Sequence, residues 1–270
     1  MSKIGTNQMA VNAQKAMSQI QRKMTKTMEK LSTGLRINKP NDDPAGLSIS
    51  TKMTSQITGY NTAAKNINDA IAMVQTIDGA LGEQINLMQR MRELAVQSVS
   101  ETYTNADRTM METEFDELVN EIKRIATDTK WNTEAVLDGT ARKIQVGADS
   151  GQVITYTEAE GQDDYQLTAS AVSVVNSVSA AAAITAIDAD IATANVARAT
   201  SGAFITRFEG ALDNALEMVQ NVTDTRSRIL DTDYAAELAE LAKLQIMQQA
   251  TNAMMAQANV IPNSVLAMLT

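Results

Sequence analysis

Apolar positions near the start of the chain recur on one side of a helix. Ala13, Met17, Ile20, Met24, Met28, Leu31 and Leu35 are spaced 4, 3, 4, 4, 3 and 4 apart, an 11-residue repeat. At about 3.67 residues per turn such a stripe stays nearly straight on its helix or drifts gently right-handed. It predicts one long helix with a core-facing stripe, weakening at Ser32, Thr33 and Gly34. Residues 38–46 (NKPNDDPAG) have the composition of a turn, which sets a hinge or boundary there.

From Met53 the period becomes seven. Met53, Tyr60, Ile67, Val74, Leu81, Met88 and Ala95 form one column; Ile57, Ala64, Ile71, Ile85 and Val99 lie on the other, broken only by Asp78 and Arg92. Two apolar columns at heptad spacing are a coiled-coil seam. A helix of about 50 residues would be roughly 75 Å long, too long for the core of a compact domain, so an elongated rod is expected. A second helix over 106–129 brings Met110, Phe115, Leu118, Ile122 and Ile125 to one side and acids to the other.

Glycines then cluster at 139, 147, 151 and 161, and Ile144, Val146, Val153 and Thr155 flank GADSG as in a β-hairpin near 142–156, the only sheet expected. Residues 166–183 are rich in Ser, Ala and Val without firm period and read as a variable loop or edge. In the last third, Ile205, Phe208, Leu212, Ala215, Val219, Val222 and Ile229 restore the 3,4 spacing with Arg226 as the exception, and the seam points on towards Tyr234, Leu238 and Leu241. Helices from opposite ends of one chain are natural partners. The fold class is mainly α: an elongated coiled-coil helical bundle with a small β-hairpin and paired N- and C-terminal helices.

Composition supports this and removes most chemistry. Prolines occur only at 40, 44 and 262, so residues 45–261 lack the strongest helix breaker. Neither cysteine nor histidine is present, which excludes thiol and imidazole catalysis, disulfides and the usual zinc ligands. No catalytic, cofactor or metal residues are assigned, and paired acids such as Asp42–Asp43 and Asp163–Asp164 read as turn and capping groups. Net charge is −9, yet residues 1–40 hold Lys3, Lys15, Arg22, Lys23, Lys26, Lys30, Arg36 and Lys39 against Glu29 alone. That asymmetry favours like-to-unlike association over nucleic-acid binding.

Asn7, Gln8, Asn12, Gln14, Lys15, Gln19 and Gln21 interrupt the first 25 residues, against a cleaved secretory signal. The uncharged run 244–270 carries too many amides to cross a bilayer, so membrane insertion is not expected. Uncharged Gln and Asn beside Ala and Met suit packing into a tight tube, because burying charge costs far more than burying a hydrogen-bonded amide.

Three segments in order resemble one family. LSTGLRINKPNDDPAG (31–46), QRMRELAVQS (89–98) and RSRILDTDYAAELAELAKLQIMQQA (226–250) followed by AQANVIPNSVLAML (256–269) are similar to the signatures of the bacterial flagellins. The resemblance implies a secreted, extracellular structural subunit that polymerises into the flagellar filament and is not an enzyme. Terminal helices 1–44 and 231–270 would line the filament core, and 45–230 would form the outer bundle, with a short variable segment near 160–183 where other members carry large outer domains. Ser and Thr around 168–179 would be the candidate glycosylation sites.

The resemblance also implies partners. Besides copies of itself these are the flagellar export apparatus, addressed by the N-terminal end, a secretion chaperone, and junction and cap proteins. Leu238, Leu241, Leu244, Met254 and Leu266 would anchor the chaperone or pack the filament core. Arg90, Leu94 and Glu114, with Gln89, Arg92 and Gln97 nearby, match positions through which a host Toll-like receptor recognises the family; the alternative is that they make subunit contacts. Two other readings are a hook–filament junction protein and a secreted coiled-coil effector or adhesin.

Overall fold

The computed structural model describes residues 7–157 and 173–267, with side chains as far as Val260. Its elements are α1 (Gln8–Thr33), α2 (Pro44–Val99), α3 (Asn105–Asp128), β1 (Lys130–Trp131), β2 (Glu134–Ala135), β3 (Arg142–Gln145), β4 (Val153–Tyr156), α4 (Ser177–Leu230) and α5 (Tyr234–Ala267). They form two compact units: Met1–Ser55 with Asn221–Thr270, and Gln56–Gln220. Both α2 and α4 contribute to each.

In the first unit α1 pairs with α5. Asn7 caps α1, its Oδ1 accepting from Ala10 N at 3.0 Å while its Nδ2 donates to Ala258 O at 2.7 Å. The shared core is small: Ile20, Met24 and Leu244, with Leu241 against them. Helix α1 ends two residues earlier than the apolar stripe suggests, because Gly34 takes a left-handed cap (φ 72°) whose N–H donates to Lys30 O. Leu35 leaves the helix to form a bridge with Asp231; Arg36 N donates to Leu230 O and Thr232 N to Gly34 O. The two interhelix linkers are thereby tied together. Asp43 Oδ1 accepts from Gly46 N at 2.9 Å and Pro44 opens α2, where its missing N–H costs nothing. The C-terminal seam does not run on without a break: α4 stops at Leu230, and Asp233 restarts a helix by accepting from Ala235 N and Ala236 N.

The second unit packs α2, α3 and α4 with the hairpin around two apolar clusters. One joins Ile85, Met88, Met91, Leu94 and Ala95 of α2 to Phe115, Val119 and Ile122 of α3 and to Ala180, Ala183, Ile187 and Ala194 of α4. The other joins Ile67, Val74, Ile77 and Leu81 to Val136, Ile154 and Tyr156 and to Ala197 and Phe208. Because α2 meets several neighbours, it buries a third heptad column, Ala70, Ile77, Gln84, Met91 and Ser98, beside the two columns of the seam. Both breaks in that seam are answered from α4: Arg92 Nε lies 2.6 Å from Asp188 Oδ1, and Arg198 Nε lies 2.8 Å from Asp78 Oδ1.

Four details differ from the sequence reading. On α3, Met111 is buried and Met110 is 74% exposed, because the inward row is 108, 111, 115, 119 and 122. In the hairpin the register pairs Ile144 with Ile154 and Arg142 with Tyr156, so Ile154 and Tyr156 face the core and Val153 faces out. A second sheet exists: β1 and β2 pair across Asn132 and Thr133, at φ 48° and 73°, the left-handed pair a tight hairpin turn needs. Residues 177–183 are helical, with Ala180 and Ala183 fully buried, while 158–172 lie outside the described residues. One described helix, α4, is also long and apolar enough to cross a bilayer by length and composition. Many of its apolar residues are alanine, and its inward residues pack on α2 and α3.

Candidate assembly and recognition surfaces

On α1, Ile20 and Met24 are buried, Ala13, Met17, Leu31 and Leu35 are half-buried, and Met28 is exposed. Thr27 is buried in its stead, since the α5 face lies over 20, 24 and 27. On α5, Leu244 is buried and Leu241 half-buried, but Leu238 and Met254 are exposed. The side chain of Leu266 lies outside the described residues. Met9, Val11, Ile246, Met247 and Val260 are further exposed apolar side chains on these two helices, and an open cavity of about 390 Å³ is lined by Met9, Ala13, Ala16, Met254 and Ala258 among others. An α1–α5 pair with so few buried residues leaves much of its apolar surface in water.

Electrostatics pin the inner end of this pair. Lys26 Nζ lies 2.7 Å from Asp42 Oδ1, Lys39 Nζ 2.8 Å from Glu29 Oε1, and Lys30 Nζ 3.3 Å from Glu237 Oε1. The Lys26 ammonium, through its hydrogen bond, holds the Asp42 carboxyl below its ordinary value despite partial desolvation. Tyr234 Oη donates to Leu31 O at 3.2 Å, above Gly34.

On the second unit, the residues 89–97 and 114 divide into two sets. Arg90 Nη2 reaches Glu114 Oε1 at 2.8 Å and its Nη1 reaches Glu93 Oε2 at 3.0 Å, all at the surface. The two carboxylates raise the guanidinium's pKa, Glu114 most. Gln89, Arg92, Glu93, Val96 and Gln97 line a shallow concavity on α2. Leu94 is only 2% exposed and belongs to the core, so it can shape this surface but not touch a partner on it.

Sequence reasoning missed Arg108. This buried arginine donates to Ser98 O at 2.9 Å and Ser100 O at 3.0 Å, satisfying carbonyls at the end of α2, and Ser98 Oγ donates to Val174 O beside it. An arginine one turn into an amphipathic helix, on its apolar side, is the available signal. Among the described residues no group of three or more potential metal ligands converges.

A mainly helical chain whose first and last described helices pair, and whose paired helices keep apolar side chains facing water, defines a structural subunit built for association. Residues 4–142 match the bacterial flagellin N-terminal helical region and residues 184–269 the bacterial flagellin C-terminal helical region. A flagellin of Halalkalibacterium halodurans is 41% identical over 269 residues, spanning 98% of this chain and 99% of its own. A flagellin of Bacillus subtilis is 35% identical over 303 residues, spanning 99% of both. The crystal structure of Bacillus cereus flagellin aligns with a TM-score of 0.51 at 31% identity, covering 56% of this chain and 88% of that one. The chain belongs to the bacterial flagellins. It is a structural subunit of the flagellar filament, the extracellular polymer of bacterial motility.

Proposed function

We propose that α1 and α5 are the elements through which this subunit polymerises, and that they complete their folding only on docking. The observation that carries this is the set of exposed apolar residues, Met9 and Met28 on α1 and Leu238, Ile246, Met254 and Val260 on α5, on a helix pair held by a three-residue core. Helices without enough tertiary burial are marginal in water. A neighbouring subunit that covers such a face supplies the missing burial, and a heterologous contact repeated without closure makes a filament. Seeded growth tests it: monomer added to sonicated fragments should elongate them into long filaments with a rise in helicity. Elongation without any helicity change would remove the coupled folding, and arrest after a short ring would indicate a junction protein.

The same surfaces support further partners. The first segment, Ser2–Ser18, of which residues 2–6 lie outside the described residues, addresses the chain to the export apparatus for secretion, and its deletion should leave the protein inside the cell. The exposed apolar face of α5 around Leu238 and Met254 suits capture by a secretion chaperone before assembly, as a helix laid in a groove. Junction and cap proteins would meet the terminal helices at the two filament ends. A host Toll-like receptor would read the exposed Arg90–Glu114 pair with Gln89, Arg92 and Gln97. A cell reporter should lose most of its response to an Arg90→Ala, Glu114→Ala monomer, and an unchanged response would leave the pair as a filament contact. The chain acts by binding, with no chemistry of its own.

A further inference from the structure

The second unit contains a discontinuity that its function as a rigid building block does not require. Its two apolar clusters meet on α2 between Leu81, the last member of one, and Ile85, the first member of the other. Between them sits Gln84, 1% exposed, a polar residue in the heptad column otherwise filled by Ala70, Ile77, Met91 and Ser98. Its Nε2 makes one long bond, 3.4 Å, to Ile122 O of α3, and its Oε1 has no partner. Buried amides are nearly always fully bonded, so this one is held weakly in its present position.

Gly79 and Gly82 lie in the same turn and a half of α2. A Cβ at either would meet nothing within 4 Å, so no close packing calls for glycine. Glycine in a helix interior loosens the backbone relative to alanine. Among the buried residues of α4, Ala194 belongs to one cluster and Ala197 to the other, with Ser201 buried further along. The Asp78–Arg198 and Arg92–Asp188 pairs stand on either side along α2, both at the surface.

We propose that Gly79–Gln84 is a built-in point of give in α2, at which the two cores of the second unit shift slightly against each other when the filament is bent. This rests on the chain being a filament subunit. Subunits on the inner and outer sides of a bend cannot keep the same axial spacing, and packed helices accommodate such differences by small sliding movements. At this waist the two alanines of α4 and one weakly bonded amide permit sliding without breaking a satisfied network, while Gly79 and Gly82, facing open space, loosen the backbone of α2. The exposed charge pairs flex on long side chains and keep the register.

Native-state amide exchange on seeded filaments of the full chain tests this. In the wild type, amides 79–86 should exchange faster than 67–77 and 88–95 of the same helix. In Gly79→Ala, Gly82→Ala filaments the waist should slow about tenfold, the size expected from two glycine-to-alanine changes in a helix, with the flanks little changed. The bending stiffness of those filaments, read from their curvature in electron micrographs, should rise, and Gln84→Met should raise it too. Uniform protection along 67–95 in the wild type, or a slowing shared equally by the flanks, overturns the proposal. So does a slowed waist with unchanged stiffness. Failure to form filaments at all would instead count against the assembly reading.

Discussion

At the residue scale, single groups settle where helices stop and how they pair. Gly34 closes α1 at φ 72° and a Cβ there would lie 3.1 Å from Tyr234 Oη. An alanine in this conformation costs about 1–2 kcal/mol, so Gly34→Ala should lower the temperature at which filaments depolymerise, with Gly34→Asn milder; light scattering on heating reads both. Asp78 and Arg92 stand out in the heptad columns as polar intrusions, but only the packed structure supplies Arg198 and Asp188 as their partners. Both pairs are well exposed, and solvent screening limits the Asp78–Arg198 pair to about 0.2–1 kcal/mol. Asp78→Arg should destabilise the second unit by that order and Asp78→Arg with Arg198→Asp should recover most of it, measured by a double-mutant cycle in urea. Leu94 shows the opposite case: its place in the motif 89–98 suggests a contact residue, whereas the coiled packing of α2 puts it in the core.

At the element scale, periodicity identified the helices well because each buries one face over many turns. It identified neighbours poorly. The seam of α2 reads as two columns, yet α3, α4 and the hairpin together bury a third, and no local pattern announces how many neighbours a helix will have. The same limit explains Met110 and Met111, adjacent residues of one type whose burial is decided by the rotation of α3 on α2. Met110→Ala should change stability by less than about 0.5 kcal/mol, while Phe208→Ala, which empties a fully buried site, should cost about 3–5 kcal/mol. Urea unfolding of the two variants gives the contrast. The short β1–β2 pair escaped notice because Asn-Thr lacks the glycine that usually marks such a turn.

At the scale of the whole molecule, charge and burial work in different places. Asp188, hydrogen-bonded to Arg92, Glu121, bonded to Arg124, and Asp42, bonded to Lys26, all titrate below their ordinary values in the folded chain. The unfolded chain therefore takes up protons at higher pH than the folded one, and the stability these carboxylates contribute is complete at neutral pH and is lost as pH falls through their lowered range. The thermal midpoint should be level from about pH 7 to 5 and fall below about pH 4, and 1 M salt should flatten the fall because the pairs are exposed. Polymerisation depends on the other surface. Leu244→Ala, removing a residue 1% exposed from the α1–α5 core, should slow seeded elongation strongly while leaving unfolding of the second unit unchanged.

By itself the sequence determined the helical class, the hairpin, the pairing of the two chain ends and the family, because these follow from periodicity, proline placement and contiguous motifs that need no knowledge of neighbours. Tertiary structure alone decided which of two adjacent methionines is buried, which arginine answers Asp78, that Arg108 works inside the core, and that a glutamine divides the second unit into two clusters. Those outcomes depend on the rotation and register of one helix against another, set by packing summed over many residues far apart in the chain.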